Sequence, residues 1–191
     1  MPSAKPQIHQ VLATLGYGDA IGNEAIGIQR ILCAAGYESR IYVQTADLRV
    51  EHLTNDYHEL VADSDADNIL IHHFSIGSRA SRVAYALPDR MILVYHNITP
   101  PHYFIDVNHT LVQQCFSGRR ELTAYIDRCD LALGDSPFNR AELDEIGFPL
   151  TGVLPVVPDF NHLNLESNPL LSNSFDDEWT NILFVGRLIP N

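Results

Sequence analysis

Six short runs of apolar residues recur along the chain, at Ile8 to Leu15, Ser39 to Gln44, Asn68 to His73, Arg90 to Tyr95, Leu131 to Gly134 and Leu150 to Val156. Most are nearly continuous rather than alternating, so both faces of each must be covered. A strand buried on both faces belongs to a parallel sheet with helices packed on either side. The segments between the runs supply those helices. From Ile21 to Ala35 the residues Ile21, Ala25, Ile28, Ile31, Leu32 and Ala35 recur at helical spacing until Gly36. Gly77 to Leu87 forms a second helix, stopped by Pro88, and Ile105 to Arg128 a third, interrupted near Ser117-Gly118. Ser136-Pro137 is an N-cap and first-turn pair for a fourth helix that ends at Gly147. Thr45 to Asp67 is polar and acidic, with weak helical segments and no clear core face. The expected fold is α/β, a Rossmann-like doubly wound parallel sheet over residues 1–157.

Pro158 to Thr180, rich in Asn, Ser, Asp and Pro, reads as a linker. The apolar run Asn181-Ile-Leu-Phe-Val185 then starts again and ends in Gly186-Arg187. We expect 181–191 to be the first strand of a truncated second domain. Exposed apolar strand edges invite pairing, so this run either docks back or joins two copies of the chain.

Composition narrows the partners. With 24 acidic against 12 basic residues the formal charge is −12, a balance that repels phosphate backbones and anionic lipid. Nucleic acid is excluded as a partner on this reading, and membrane association is weak or absent. Arg119-Arg120 reads as a solvated helix face. The three cysteines, Cys33, Cys115 and Cys129, form no CxxC pair and support neither a zinc ribbon nor a disulfide framework. The amino terminus lacks the apolar core of a signal peptide and no stretch is long enough to span a bilayer, so a cytoplasmic protein is expected. The N-x-[ST] matches at Asn97 and Asn108 are then coincidental.

In doubly wound sheets ligands bind at the carboxyl ends of the strands, near the switch in strand order. That rule selects the loops Gly16 to Gly22, His72 to Gly77 and His96 to Tyr103. Gly16-x-Gly18-x-x-x-Gly22 lies between a strand and a helix, the context of a phosphate-binding turn or simply of a tight βα turn. A dinucleotide site also wants an acidic residue at the end of the second strand, where Tyr42-Val43-Gln44 stand and Asp47 comes late. His96 follows directly on an apolar strand, so its imidazole faces the cleft or is satisfied by loop backbone. Alternation allows one of His72 and His73 into the same cleft. His72, His73, His96 and His102 could converge on a metal, but their spacing matches no familiar zinc pattern, and no metal or cofactor is expected. Ser136 lacks the flanking glycine of a nucleophile elbow.

Three segments, Val11 to Ala25 around Gly-Tyr-Gly-Asp-Ala-Ile-Gly-Asn-Glu, Leu93 to Pro100 reading Leu-Val-Tyr-His-Asn-Ile-Thr-Pro, and Ile182 to Asn191 around Val-Gly-Arg-Leu, resemble retaining glycosyltransferases of family 4. The resemblance spans nearly the whole chain and implies the N-terminal, acceptor-side half of the two-domain GT-B architecture. It implies that Gly16 and Gly18, with Asp19, lie against the donor diphosphate and acceptor, and that His96 is the catalytic histidine reaching the donor sugar. His73 and Asn97 join the binding set, and Arg187 corresponds to an arginine that neutralises the donor phosphates. The implied partners are a nucleotide-sugar donor, held mainly by a second domain, and a glycan or small-molecule acceptor. On this reading the 191 residues alone are inactive. The alternatives are a nucleotide- or sugar-binding module without catalysis, and an NAD-linked Rossmann domain.

Overall fold

A computed structural model describes residues 5–157 and 164–184. The chain divides into two compact units, Met1–Pro158 and Asp159–Asn191. The first is built on a seven-stranded sheet, every neighbouring pair parallel, in the order β3-β2-β1-β4-β5-β6-β7. Its strands are β1 (Ile8–Leu15), β2 (Ile41–Ala46), β3 (Asn55–Asp56), β4 (Ile69–Phe74), β5 (Arg90–Tyr95), β6 (Leu131–Gly134) and β7 (Thr151–Val153). The helices are α1 (Ala20–Ala34), α2 (Leu60–Asp63), α3 (Arg79–Ala86), α4 (His109–Ala124) and α5 (Pro137–Ile146). This is the doubly wound Rossmann-like fold expected from the apolar runs.

The chain starts in the middle of the sheet, moves outward through β2 and β3, then returns to the other side of β1 with β4. The direction of winding reverses between β1 and β4, whose register runs from Ile8↔Ile69 to Leu12↔His73. The carboxyl ends of β1, β4 and β5 meet there, which places the switch crevice beside Gly16, Phe74 and His96.

Two apolar clusters hold the layers. The larger gathers Val11, Tyr42, Leu70, Phe74, Leu93, Tyr95, Leu122 and Tyr125; the smaller packs Leu12, Leu15, Ile41 and Val43 against Ala25 of α1. Only Gly22, Glu24 and Ala25 of α1 are fully buried, and Ile31, expected on its core stripe, is 70% exposed. The expected interruption of α4 at Gly118 does not occur. Gly118 is there because Gly77 crosses it: a Cβ on Gly118 would stand 2.6 Å from the Gly77 nitrogen. The segment after β2 is more ordered than its polarity suggests, since Val50, Tyr57 and Leu60 are buried and β3 extends the sheet.

In the second unit α6 (Pro169–Ser174) forms within the expected linker, capped by Asn168, whose Oδ1 accepts from the Leu170 N–H at 3.0 Å. Asn181 to Phe184 form no strand and are exposed. Val185 to Asn191, with Arg187, lie outside the described residues. No helix among the described residues is long and apolar enough to cross a membrane.

Candidate active site at the sheet switch point

The turn from β1 into α1 is made by local packing. Gly18 adopts φ +70°, a left-handed conformation that glycine takes without a Cβ clash. A Cβ on Gly22 would meet the Gly16 carbonyl oxygen at 3.0 Å, so the helix starts close against the strand end. Asp19 caps α1, its carboxylate accepting from the Gly22 N–H at 3.3 Å. The positive end of α1 therefore faces the switch crevice.

Across the crevice β5 ends at Tyr95, and His96 hydrogen-bonds through its backbone N–H to the Phe74 carbonyl at 3.0 Å. Asn97 then turns the chain with φ +67°, the one non-glycine residue of positive φ among those described. The loop is clamped by Arg119, which donates to the Ile98 carbonyl at 2.6 Å and pairs with Glu142 at 2.8 Å. Arg119 is thus a structural tie rather than part of a solvated face. A groove of about 440 Å³ opens beside the loop, lined by Asn97, Pro100, Arg119, Phe138 and Glu142 among others.

The two adjacent histidines of β4 part company. His72 points into the aromatic core, 5.1 Å by ring centroids from both Phe74 and Tyr125, and contacts the Ser81 hydroxyl at 3.2 Å. His73 points to the other face, where its Nδ1 is 3.0 Å from His96 Nε2 and its Nε2 is 2.9 Å from Gln10 Oε1. His102 sits in a short 3-10 turn, stacked on Tyr103, and joins neither group. Of the four histidines considered from sequence, the structure brings together two.

The polar chain around them has a direction. Gln10 Nε2 donates to the Ala25 carbonyl at 2.9 Å, so its amide oxygen faces His73 and accepts from His73 Nε2–H. A neutral His73 then has a lone pair on Nδ1, which accepts from His96 Nε2–H. That leaves the lone pair of a neutral His96 on Nδ1, buried and with no hydrogen-bond partner among the described residues. Burial holds His73 well below the ordinary histidine value and lowers His96 as well, against the opposing pull of Asp135. Both are neutral at pH 7.

Two carboxylates close the site. Glu24 Oε2, from α1, lies 3.8 Å from His96 Nε2, and Asp135 Oδ2, just after β6, lies 3.7 Å from His96 Nδ1. The Glu24 side chain is 5% exposed, and burial with the nearby Asp135 charge raises its pKa to about 7. Asp135 is fixed from behind by the Asn139 amide, which donates to its other oxygen. Glu24, Gln10 and Asp135 were not expected from sequence. Glu24 had a signal, since it lies beside the Ile21, Ala25, Ile28 stripe. Gln10 had only its polarity inside an apolar strand.

Of the site residues expected from sequence, Gly16, Gly18 and Asp19 lie in the turn after β1, Asn97 lines the groove after β5, and the His96 side chain is buried, 1% exposed. His73 supports His96 from within the sheet, with both ring nitrogens engaged, and Arg187 is outside the described residues. The second strand runs to Ala46, two residues further than expected, so Asp47 stands directly at its end. There Asp47 grips Arg49 through two side-chain hydrogen bonds, which hold its carboxyl down at about 2, and Arg49 stacks 4.1 Å over the Tyr17 ring. The fold and crevice define a Rossmann-like α/β domain with a buried histidine pair at the switch point. Neither a protein-family model nor a curated protein sequence matches the chain.

Proposed function

We propose that this chain is the acceptor-side domain of a retaining glycosyltransferase that uses a nucleotide-sugar donor. The observation that carries the reading is His96: it ends a central strand at the switch point, opposite the amino end of α1, with Nδ1 uncommitted. In this role Nδ1, which is closed from solvent in the free chain and lies 3.7 Å from Asp135 Oδ2, becomes accessible on donor binding and accepts a hydrogen bond from a donor-sugar hydroxyl, in the tautomer that Gln10 and His73 fix. Breaking the sugar–phosphate bond develops charge on the leaving diphosphate, which the end of α1 and the Gly16-Gly18 turn stabilise. The groove beside Asn97 receives the acceptor. In the GT-B resemblance the nucleotide is held by a second domain, whose closure excludes water.

The test is release of UDP, GDP or ADP by the intact gene product from a panel of nucleotide sugars, with His96→Ala alongside. Release from one donor that collapses in the variant supports the reading, and no release from any donor overturns it.

A second reading draws on Asp47. An acidic side chain at the end of β2, beyond a glycine turn, is where a dinucleotide ribose is bound in NAD-linked domains. The Arg49 ion pair occupies that carboxylate and ranks the reading second. Saturable NAD binding lost in Asp47→Ala would promote it.

A further inference from the structure

We propose that Glu24, His73 and His96 form a binding site for one divalent transition-metal cation of the zinc type. One ligand atom from each lies within 4.8 Å of the other two, and all three residues are at or near full burial. Two imidazoles and a carboxylate are a donor set suited to zinc and its neighbours rather than to calcium or magnesium. The edges fit: His73 Nδ1 and His96 Nε2 are 3.0 Å apart, and two nitrogens on one tetrahedral zinc are separated by roughly 3.3 Å. Glu24 Oε2 is 3.8 Å from His96 Nε2.

The surroundings are those of metal-binding histidines. Such a histidine donates its other N–H to a fixed acceptor, which sets its tautomer. His73 has Gln10 Oε1 at 2.9 Å from Nε2, itself held by the Ala25 carbonyl, and His96 has Asp135 Oδ2 at 3.7 Å from Nδ1. Without a cation the hydrogen bond between the imidazoles turns the His96 Nδ1 lone pair towards a carboxylate and leaves Glu24 Oε2 without a partner among the described residues. With a cation Nε2 becomes the ligand, Nδ1 carries the proton and donates to Asp135 once the pair closes from its present 3.7 Å, and Glu24 Oε2 is satisfied. One change resolves both buried mismatches. The charges also fit, since a divalent ion beside Glu24 and Asp135 makes a neutral set.

Three protein ligands leave a fourth position for water or an anionic oxygen. This inference does not depend on glycosyl transfer. It does constrain it, because the loaded site commits both nitrogens of His96, so cation and sugar hydroxyl exclude each other there.

The full chain, stripped with a chelator, is titrated with zinc chloride by calorimetry, and with cobalt(II) to read the coordination spectrum. The expected result is one cation per chain, lost in Glu24→Ala and in His73→Ala, and unchanged in His102→Ala. Asp135→Asn and Gln10→Ala, which leave the ligands in place, are expected to weaken binding by about 10- to 100-fold. Should His73→Ala fail to fold, Glu24→Gln and Asp135→Asn decide, with folding followed by near-ultraviolet circular dichroism. No saturable binding, or binding indifferent to Glu24 and Asp135, overturns the site and marks any bound zinc as adventitious.

Discussion

His72 and His73 are neighbours on one strand, each 1% exposed, yet they serve opposite faces of the sheet. On the His72 face an imidazole is packed among Phe74, Tyr125 and Ser81 with α3 and α4 behind it. Burial pushes His72 down to about 3, and a pocket of about 170 Å³ nearby is lined by its neighbours Ser81 and Tyr125 rather than by His72 itself. On the His73 face the same residue type lies in a directed polar chain from Gln10 to His96, whose Nε2 has Glu24 at 3.8 Å and whose Nδ1 lone pair has Asp135 at 3.7 Å. Burial alone does not separate a structural histidine from a working one. An unpaired nitrogen does not separate them either, since His72 Nδ1 and His96 Nδ1 both lack a partner among the described residues; the surroundings do, aromatic rings around His72 and two carboxylates beside His96.

Substitutions on the two faces should therefore differ in activity per folded molecule. The largest effect is expected for His96→Ala, which should lower nucleoside diphosphate release per folded molecule by about 10²- to 10⁴-fold; its side chain is 1% exposed and bonded to His73, so it should also cost about 2–4 kcal/mol of stability. Next is His72→Ala, which empties core volume and removes the Ser81 contact. It should cost about 2–4 kcal/mol in denaturant unfolding and leave release per folded molecule unchanged. A His72→Ala variant that folds normally but loses activity would break the contrast.

A third effect concerns Glu24 and has a defined pH course. Its carboxyl is held at about 7 when folded, above the ordinary 4.5. The folded chain binds that proton more tightly, so the stability it confers is full in acid and is lost as pH rises from 4.5 to 7. Glu24→Gln, compared in chelator at pH 8, should then be more stable than the parent by up to about 3 kcal/mol, with the gain fading towards pH 4.5. The histidines work in the other direction. His9, His72, His73 and His96 are all held below 6.5 when folded, so their contribution is full above 6.5 and is lost as pH falls. Four such groups outweigh one carboxyl, and chemical denaturation should show stability falling steadily on the acid side of 6.5. The smallest effect is expected for Asp19→Ala, which removes the α1 cap at a cost of about 1 kcal/mol in the same measurement.

The sheet was legible where burial on both faces wrote continuous apolar runs. Ile8 to Leu15, Arg90 to Tyr95 and Leu131 to Gly134 form strands at those bounds, and Ser136 caps α5 as its position before Pro137 indicates. β3 was not legible, because a two-residue edge strand of Asn and Asp carries no apolar signal. Gly118 misled in the other direction: glycine in a helix marks a break in sequence, whereas here it marks the close crossing of Gly77. At the site His96 could be located from the strand it ends. His73 was named with it, but Glu24 and Asp135 were not, since α1 and the turn after β6 are far apart in sequence and reach His96 only through the sheet order β1-β4-β5-β6.

The most direct test of the account is nucleoside diphosphate release by the intact gene product, measured with a nucleotide-sugar panel for the parent, His96→Ala and His72→Ala. The expected result is release from one donor, retained per folded molecule in His72→Ala and nearly abolished in His96→Ala. Equal losses in both variants, or no release from any donor, would contradict it.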